Sequence, residues 1–158
     1  MHQDIGTSAL QHFDSGLYCA ESVLLAMCEA LDVDCASIPR MATGLCSGMA
    51  QSGGMCGAVS GAILAIGLAV GRDTAQGSVE PAYSEVCRLL EAFKDLHGST
   101  CCAELLECDL ATEEGQRIYE EENRIERCRK YVQDAGRILQ DLTSEVCRNF
   151  APKPETSP

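Results

Sequence analysis

Tryptophan is absent from the 158-residue sequence, and all aromatics together make up only 4% of it, so small and aliphatic side chains must fill any core. Closely packed helices suit that inventory better than a sheet, which draws on Val, Tyr and Phe. Basic residues are also scarce: 12 Lys and Arg stand against 24 Asp and Glu, a formal net charge of −12. No basic stripe is present, which sets aside nucleic acid as a partner. The amino terminus, Met-His-Gln-Asp-Ile-Gly, has no basic segment followed by an apolar one, so no export signal is visible. No membrane span is expected either. The strongly apolar run 63–70 is too short, and its surroundings over 49–71 are rich in glycine. Cys-x-x-Cys pairs are missing, which argues against thioredoxin chemistry, zinc ribbons and ferredoxin-like clusters. There is no Walker loop, dinucleotide fingerprint or His-Glu-x-x-His. His2, His12 and His97 are scattered, and His97 before Gly98 reads as an ordinary helix-end residue.

What is abundant is cysteine, with eleven residues. A secreted disulfide scaffold usually has an even count and a shorter chain richer in turns. The odd count, the helical surroundings and the missing export signal predict a reducing, cytoplasmic setting.

Periodicity predicts an all-α protein: a compact bundle of five to six helices around a buried, Gly/Ala-rich central helix. The length predicts one domain over 1–150, and a tail at 151–158 with three prolines reads as disordered. The first helix covers 7–13, the second 17–31, with Leu24, Met27, Cys28 and Leu31 at helical spacing. Pro39 suits the first turn of a stretch reaching Cys46. A glycine-rich loop, 48–54, leads into the central helix at 55–70. Its Gly57 and Gly61 stand four apart, a spacing that lets a second backbone or a ligand approach closely. Glu80-Pro81 opens another helix, with Tyr83, Val86, Leu90 and Phe93 on one face, that stops at Gly98. A short turn covers 100–107. Thr112-Glu113-Glu114 then begins one long carboxy-terminal helix whose inner stripe holds Ile118, Ile125, Cys128, Val132, Ala135, Leu139, Leu142 and Val146.

The cysteines fall in different settings. Cys19, Cys56 and Cys102 each follow a Gly or Ser punctuation and sit in the first turn or so of a helix. Free N–H groups and the macrodipole favour anions there, which raises the thiolate fraction of a thiol. Cys128 instead reads as mid-helix on the inward stripe, with Arg124, Arg127, Arg129 and Lys130 nearby in sequence to help hold a thiolate. Cys28, Cys87 and Cys147 read as core or boundary residues, and Cys35 and Cys108 as incidental thiols near helix ends.

These residues resemble the C-GCAxxG-C-C family of redox-active proteins. The likeness starts at Leu17-Tyr18-Cys19-Ala20-Glu21-Ser22-Val23-Leu24 and runs through the glycine-rich stretch 43–54 into Cys56-Gly57-Ala58-Val59-Ser60-Gly61. Gly98-Ser99 leading to Cys102-Ala103-Glu104 is similar to the third element, and Cys128 to the last cysteine. The resemblance implies that Cys19, Cys56, Cys102 and Cys128 form the functional set. The chain departs from the pattern at Tyr18, at Cys46-Ser47 (commonly Gly-Gly) and at Cys101, so Cys46 or Cys101 can stand in for one of the four.

The leading expectation is therefore a cysteine-based redox protein whose four thiolates, drawn from separate helices, bind an iron–sulfur cluster for electron transfer, with zinc the lesser candidate. Its partners would be a redox protein or a small thiol, and the assembly a homodimer. An oxidoreductase activity is left open. The alternatives are a metal-free thiol–disulfide oxidoreductase or thiol-dependent binder, in which thiols at helix starts exchange and Cys101-Cys102 offers a resolving partner, and a helical accessory subunit whose cysteines are structural.

Overall fold

The computed structural model describes residues 4–34 and 36–149, with side chains up to Ser144. Cys35, the side chains of Val146 and Cys147, and the tail 151–158 lie outside that description. Eight α-helices and a 3-10 helix appear among the described residues: α1 (Ile5–Asp14), α2 (Cys19–Ala30), the 3-10 helix (Arg40–Leu45), α3 (Cys46–Ala50), α4 (Gly57–Val70), α5 (Glu80–His97), α6 (Cys102–Leu106), α7 (Glu113–Glu121) and α8 (Ile125–Asn149). No strand occurs among them, only an isolated antiparallel bridge between Met55 and Cys101. None of the described helices is long and apolar enough to cross a membrane.

The all-α expectation holds, but five to six helices undercounts them. The long terminal helix is in fact two. Asn123 takes a left-handed conformation with φ 50°. Arg124 N–H reaches back to the Tyr119 carbonyl and Asn123 N–H to that of Glu120. This is a Schellman end built on Asn, which tolerates the left-handed region better than most residues. The chain turns there and α8 starts afresh. Other ends follow their punctuation: Thr112 accepts from the Gly115 N–H at 2.9 Å to cap α7, and Gly98, at φ 83°, closes α5.

The main core lies where α8 packs on α1, α2, α4 and α5, and where α2 packs on both α1 and α4. Leu24 and Met27 of α2, Leu31 just after its end, Ile66 of α4, Phe93 of α5 and Leu139 of α8 are buried in it. Tyr83 lies outside, exposed; the inner face of α5 carries Leu89 and Phe93 instead. A second, smaller cluster of Cys102, Leu106 and Leu110 lies under α6 and α7.

Two glycines govern the approach of α4 to α2. A Cβ on Gly61 would lie 2.5 Å from the Ala20 carbonyl oxygen, and one on Gly57 would lie 2.2 Å from Cys19 Sγ. Only hydrogen fits at either place. Gly67, by contrast, is exposed with nothing nearby. Gly61→Ala is accordingly expected to destabilise the protein by about 1–3 kcal/mol through overpacking against backbone. Gly67→Ala should stabilise it by roughly 0.5–1 kcal/mol through helix propensity. Urea unfolding of the two variants beside the parent checks both signs.

Candidate functional site

Each of the four cysteines singled out by resemblance sits at a helix start. Cys19 is the first residue of α2 and Cys102 the first of α6. Cys56 is the cap residue of α4. Cys128, expected mid-helix, falls in the first turn of α8 because of the break at Asn123.

Backbone pairing places two of them. Cys56 N–H donates to the Thr100 carbonyl at 2.7 Å, and Cys102 N–H donates to the Gly54 carbonyl at 2.7 Å. The bridge thus clamps the entries to α4 and α6 side by side. Cys19 reaches the same place because Gly57 leaves space for its sulfur. At the start of α2, Glu21 accepts from the Tyr18 N–H at 2.8 Å and from the Thr43 hydroxyl at 2.6 Å. That carboxylate ties the helix start to the 3-10 helix.

All four cysteines line one cavity of about 270 Å³ between the main core and the smaller cluster. A single water needs only about 10–15 Å³, so the space suits a polyatomic group. Three of the chain's four tyrosines, Tyr18, Tyr119 and Tyr131, share the lining. Tyr119 hydroxyl lies 3.8 Å from Cys128 Sγ as a donor. Tyr131 donates to the Leu105 carbonyl at 3.0 Å and is stacked edge-on by the His97 ring. His97 is thus more than a helix-end residue. Its side chain is buried and faces Asp134 at 3.3 Å, and burial lowers its pKa.

Among the described residues, no lysine or arginine lines the cavity, and Glu120 is its one carboxylate. The basic residues near Cys128 in sequence are engaged elsewhere: Arg124 with Glu107 and Glu122, Arg127 with Glu107, and Arg129 with Asp14 and Glu126. The expectation that they hold a thiolate at Cys128 is not met.

Nor are Cys56, Cys102 and Cys128 low-pKa thiols. Desolvation pushes Cys56 up to about 12, against the pull of the Ala58 and Val59 amides, with Cys102 and Cys128 adding to the rise. Cys102 is likewise pushed up to about 12, first by burial and then by the neighbouring Cys128, Cys101 and Cys108. Cys128 is raised by burial although the Tyr119 hydroxyl opposes it. Burial outweighs the dipole because apolar walls desolvate the charge on every side.

The two stand-in cysteines are placed differently. Cys101 Sγ is 3.1 Å from the Gly53 carbonyl and does not line the cavity. Cys46 is buried beneath the lining, its sulfur 3.7 Å from the Ala42 carbonyl and in contact with the Cys19 thiol. Cys108 packs beside Cys102 and Cys128 without lining the cavity. Cys28 is buried in the core, as expected, whereas Cys87 is exposed. Among the described residues, no group of three or more His, Cys, Asp or Glu is arranged to hold a metal ion. The cavity walls therefore do not close on a point.

One wall is conformationally costly. Although α3 is hydrogen-bonded like a helix, Ser47, Gly48, Met49, Ala50 and Gln51 all have φ between 54° and 68°. It is a left-handed turn. Each non-glycine residue there costs roughly 1–2 kcal/mol. Gly48 lies so close beneath Cys102 that a Cβ would meet the Cys102 Cβ at 2.5 Å. Ser47 and Gln51 line the cavity.

Two measurements follow from this geometry. Ala50→Gly, at an exposed left-handed position, should raise stability by about 1 kcal/mol in denaturant unfolding. In the reduced apoprotein, Cys56 and Cys102 should alkylate far more slowly than exposed Cys87 at pH 8, since a pKa near 12 leaves roughly one thiolate in ten thousand. Their lag should shrink as pH rises towards 12. Peptide mapping after timed iodoacetamide labelling reads both effects.

No curated protein and no solved structure matches this chain. A family model described as "Putative redox-active protein (C_GCAxxG_C_C)" matches residues 17–142, a span that contains all four cavity cysteines and most of the sequence. The chain belongs to the C-GCAxxG-C-C family.

Proposed function

We propose that the cavity holds an iron–sulfur cluster through Cys19, Cys56, Cys102 and Cys128, and that the protein carries electrons. The observation behind this reading is that four cysteines from four separate helix starts line one cavity that contains no basic side chain. Burial first, and the neighbouring cysteines after it, keep the Cys56 and Cys102 thiols neutral. A soft cationic group offsets the desolvation that lysine or arginine would otherwise have to offset. Four cysteine thiolates are a donor set that suits such a cluster, and a cavity of about 270 Å³ is larger than a lone zinc ion needs. When bound, the cluster would supply one-electron chemistry.

The chain's own residues do the rest. The amino-terminal ends of α2, α4 and α8 point their positive poles towards the cysteine wall and favour net negative charge there. Tyr119 donates to Cys128 sulfur, a contact that raises a reduction potential. Exposed Tyr18 and Ile125 form an apolar rim on which a redox partner can settle. The metal-free exchange reading is less well supported, because it requires reactive low-pKa thiols and burial makes Cys56, Cys102 and Cys128 the reverse.

Anaerobic reconstitution with ferrous iron and sulfide tests the proposal. The parent is expected to gain iron, acid-labile sulfide and a visible chromophore. Cys56→Ser and Cys102→Ser should lose most of each, and Cys87→Ser none. A parent protein that stays colourless and metal-free while its four cavity thiols remain alkylatable would refute the reading.

A further inference from the structure

Cys46 has no place in the four-cysteine set, yet it is not an ordinary core thiol. It is 3% exposed and ends the 3-10 helix just before the left-handed turn. The neighbouring Cys19 thiol, and after it burial, push the Cys46 thiol up, and the nearby backbone N–H groups of Glu21 and Ala20 oppose them. The position of a Cβ on Gly57 confirms the proximity: that one point lies 2.2 Å from Cys19 Sγ and 3.2 Å from Cys46 Cα. Two thiols therefore share the start of α2, and only Cys19 faces the cavity.

The geometry points to Cys19 and Cys46 as a disulfide-forming pair, with Cys19 the attacking and Cys46 the resolving cysteine, that withdraws Cys19 from the cavity wall. Accessibility assigns the order. Cys19 is half-buried and reached through the cavity, whereas Cys46 is enclosed. With a small disulfide such as oxidised glutathione as the oxidant, Cys19 thiolate attacks one glutathione sulfur. The glutathione S–S bond breaks and one glutathione leaves as thiolate. Cys46 then attacks Cys19 sulfur, the mixed disulfide breaks, and the second glutathione leaves with the proton given up by Cys46. Two protein thiols are oxidised to one disulfide, and one small disulfide is reduced to two thiols.

As regulation this rests on the cluster reading, since it removes one of the four proposed ligands, but the cross-link itself does not depend on it. The experiment equilibrates apoprotein with reduced and oxidised glutathione, quenches with acid and maps peptides without reduction. The parent should yield a Cys19–Cys46 cross-link with the loss of two hydrogens. Cys46→Ser should yield a glutathione adduct at Cys19 in its place, a gain that misfolding alone does not direct to that one residue. A parent that accumulates the Cys19 adduct, or keeps Cys19 free while Cys87 is glutathionylated, overturns the proposal. A second arm repeats the mapping after iron and sulfide loading. If loading succeeds, the cross-link should be suppressed; cross-linking undiminished in fully loaded protein would overturn the withdrawal of Cys19. If loading fails, the cluster reading falls and the apoprotein cross-link stands or falls by itself.

Discussion

The backbone of α4 lies directly on the start of α2, and the cavity depends on that contact more than on any other. Without side chains at Gly57 and Gly61, the two helices approach closely enough for Cys19 sulfur to rest over Gly57, one residue from Cys56. The paired entries to α4 and α6 then bring Cys102 alongside. The break at Asn123 turns α8 so that Cys128 faces the remaining side. Apolar burial, the paired backbone of the α4 and α6 entries and the Tyr119–Cys128 hydrogen bond hold these pieces together.

That construction has an electrostatic cost. A chain of net charge −12 surrounds this cavity with tyrosine, leucine and glycine and keeps Arg124, Arg127 and Arg129 on outer ion pairs. The amides at the helix starts and the Tyr119 hydroxyl favour an anion there, but they lose to desolvation. The same field becomes useful once a compensating charge enters, because oriented amides need no further rearrangement. A site that resists ionisation alone and welcomes it with a partner charge discriminates between the two states.

Much of this was legible in the sequence. Cys19, Cys56 and Cys102 were placed at helix starts because Gly16, Gly54 and Ser99 mark the interruptions before them, and glycine and serine are readable punctuation. Asn123 carries the same instruction less audibly, so α7 and α8 read as one helix and Cys128 as mid-helix. The stripe of apolar residues continued across the break and concealed it. The left-handed turn was read as a loop beginning at Gly48. It starts at Ser47, and Met49, Ala50 and Gln51 give no local signal for left-handed backbone; Gly48 anchors the turn, set close against Cys102 and accepting from the Gly54 N–H. The upward shift of Cys56, Cys102 and Cys128 is hidden from the sequence for a related reason. A helix start can be seen along the chain, but the apolar wall opposite comes from distant segments. Cys46 likewise looked interchangeable with the other cysteines until tertiary packing put it against Cys19.

The wide separation of the four cysteines along the chain has a further consequence. Cys19 and Cys128 bracket most of the polypeptide, and the bridge between Met55 and Cys101 closes only after α4 and α5 have been laid down between them. Bringing such distant segments together is entropically costly and slow compared with forming any one helix. A nascent or partly unfolded chain thus offers scattered, unremarkable thiols. Their collective chemistry begins only when the last helix docks, so possession of the sulfur-lined chamber certifies that the whole molecule has been completed.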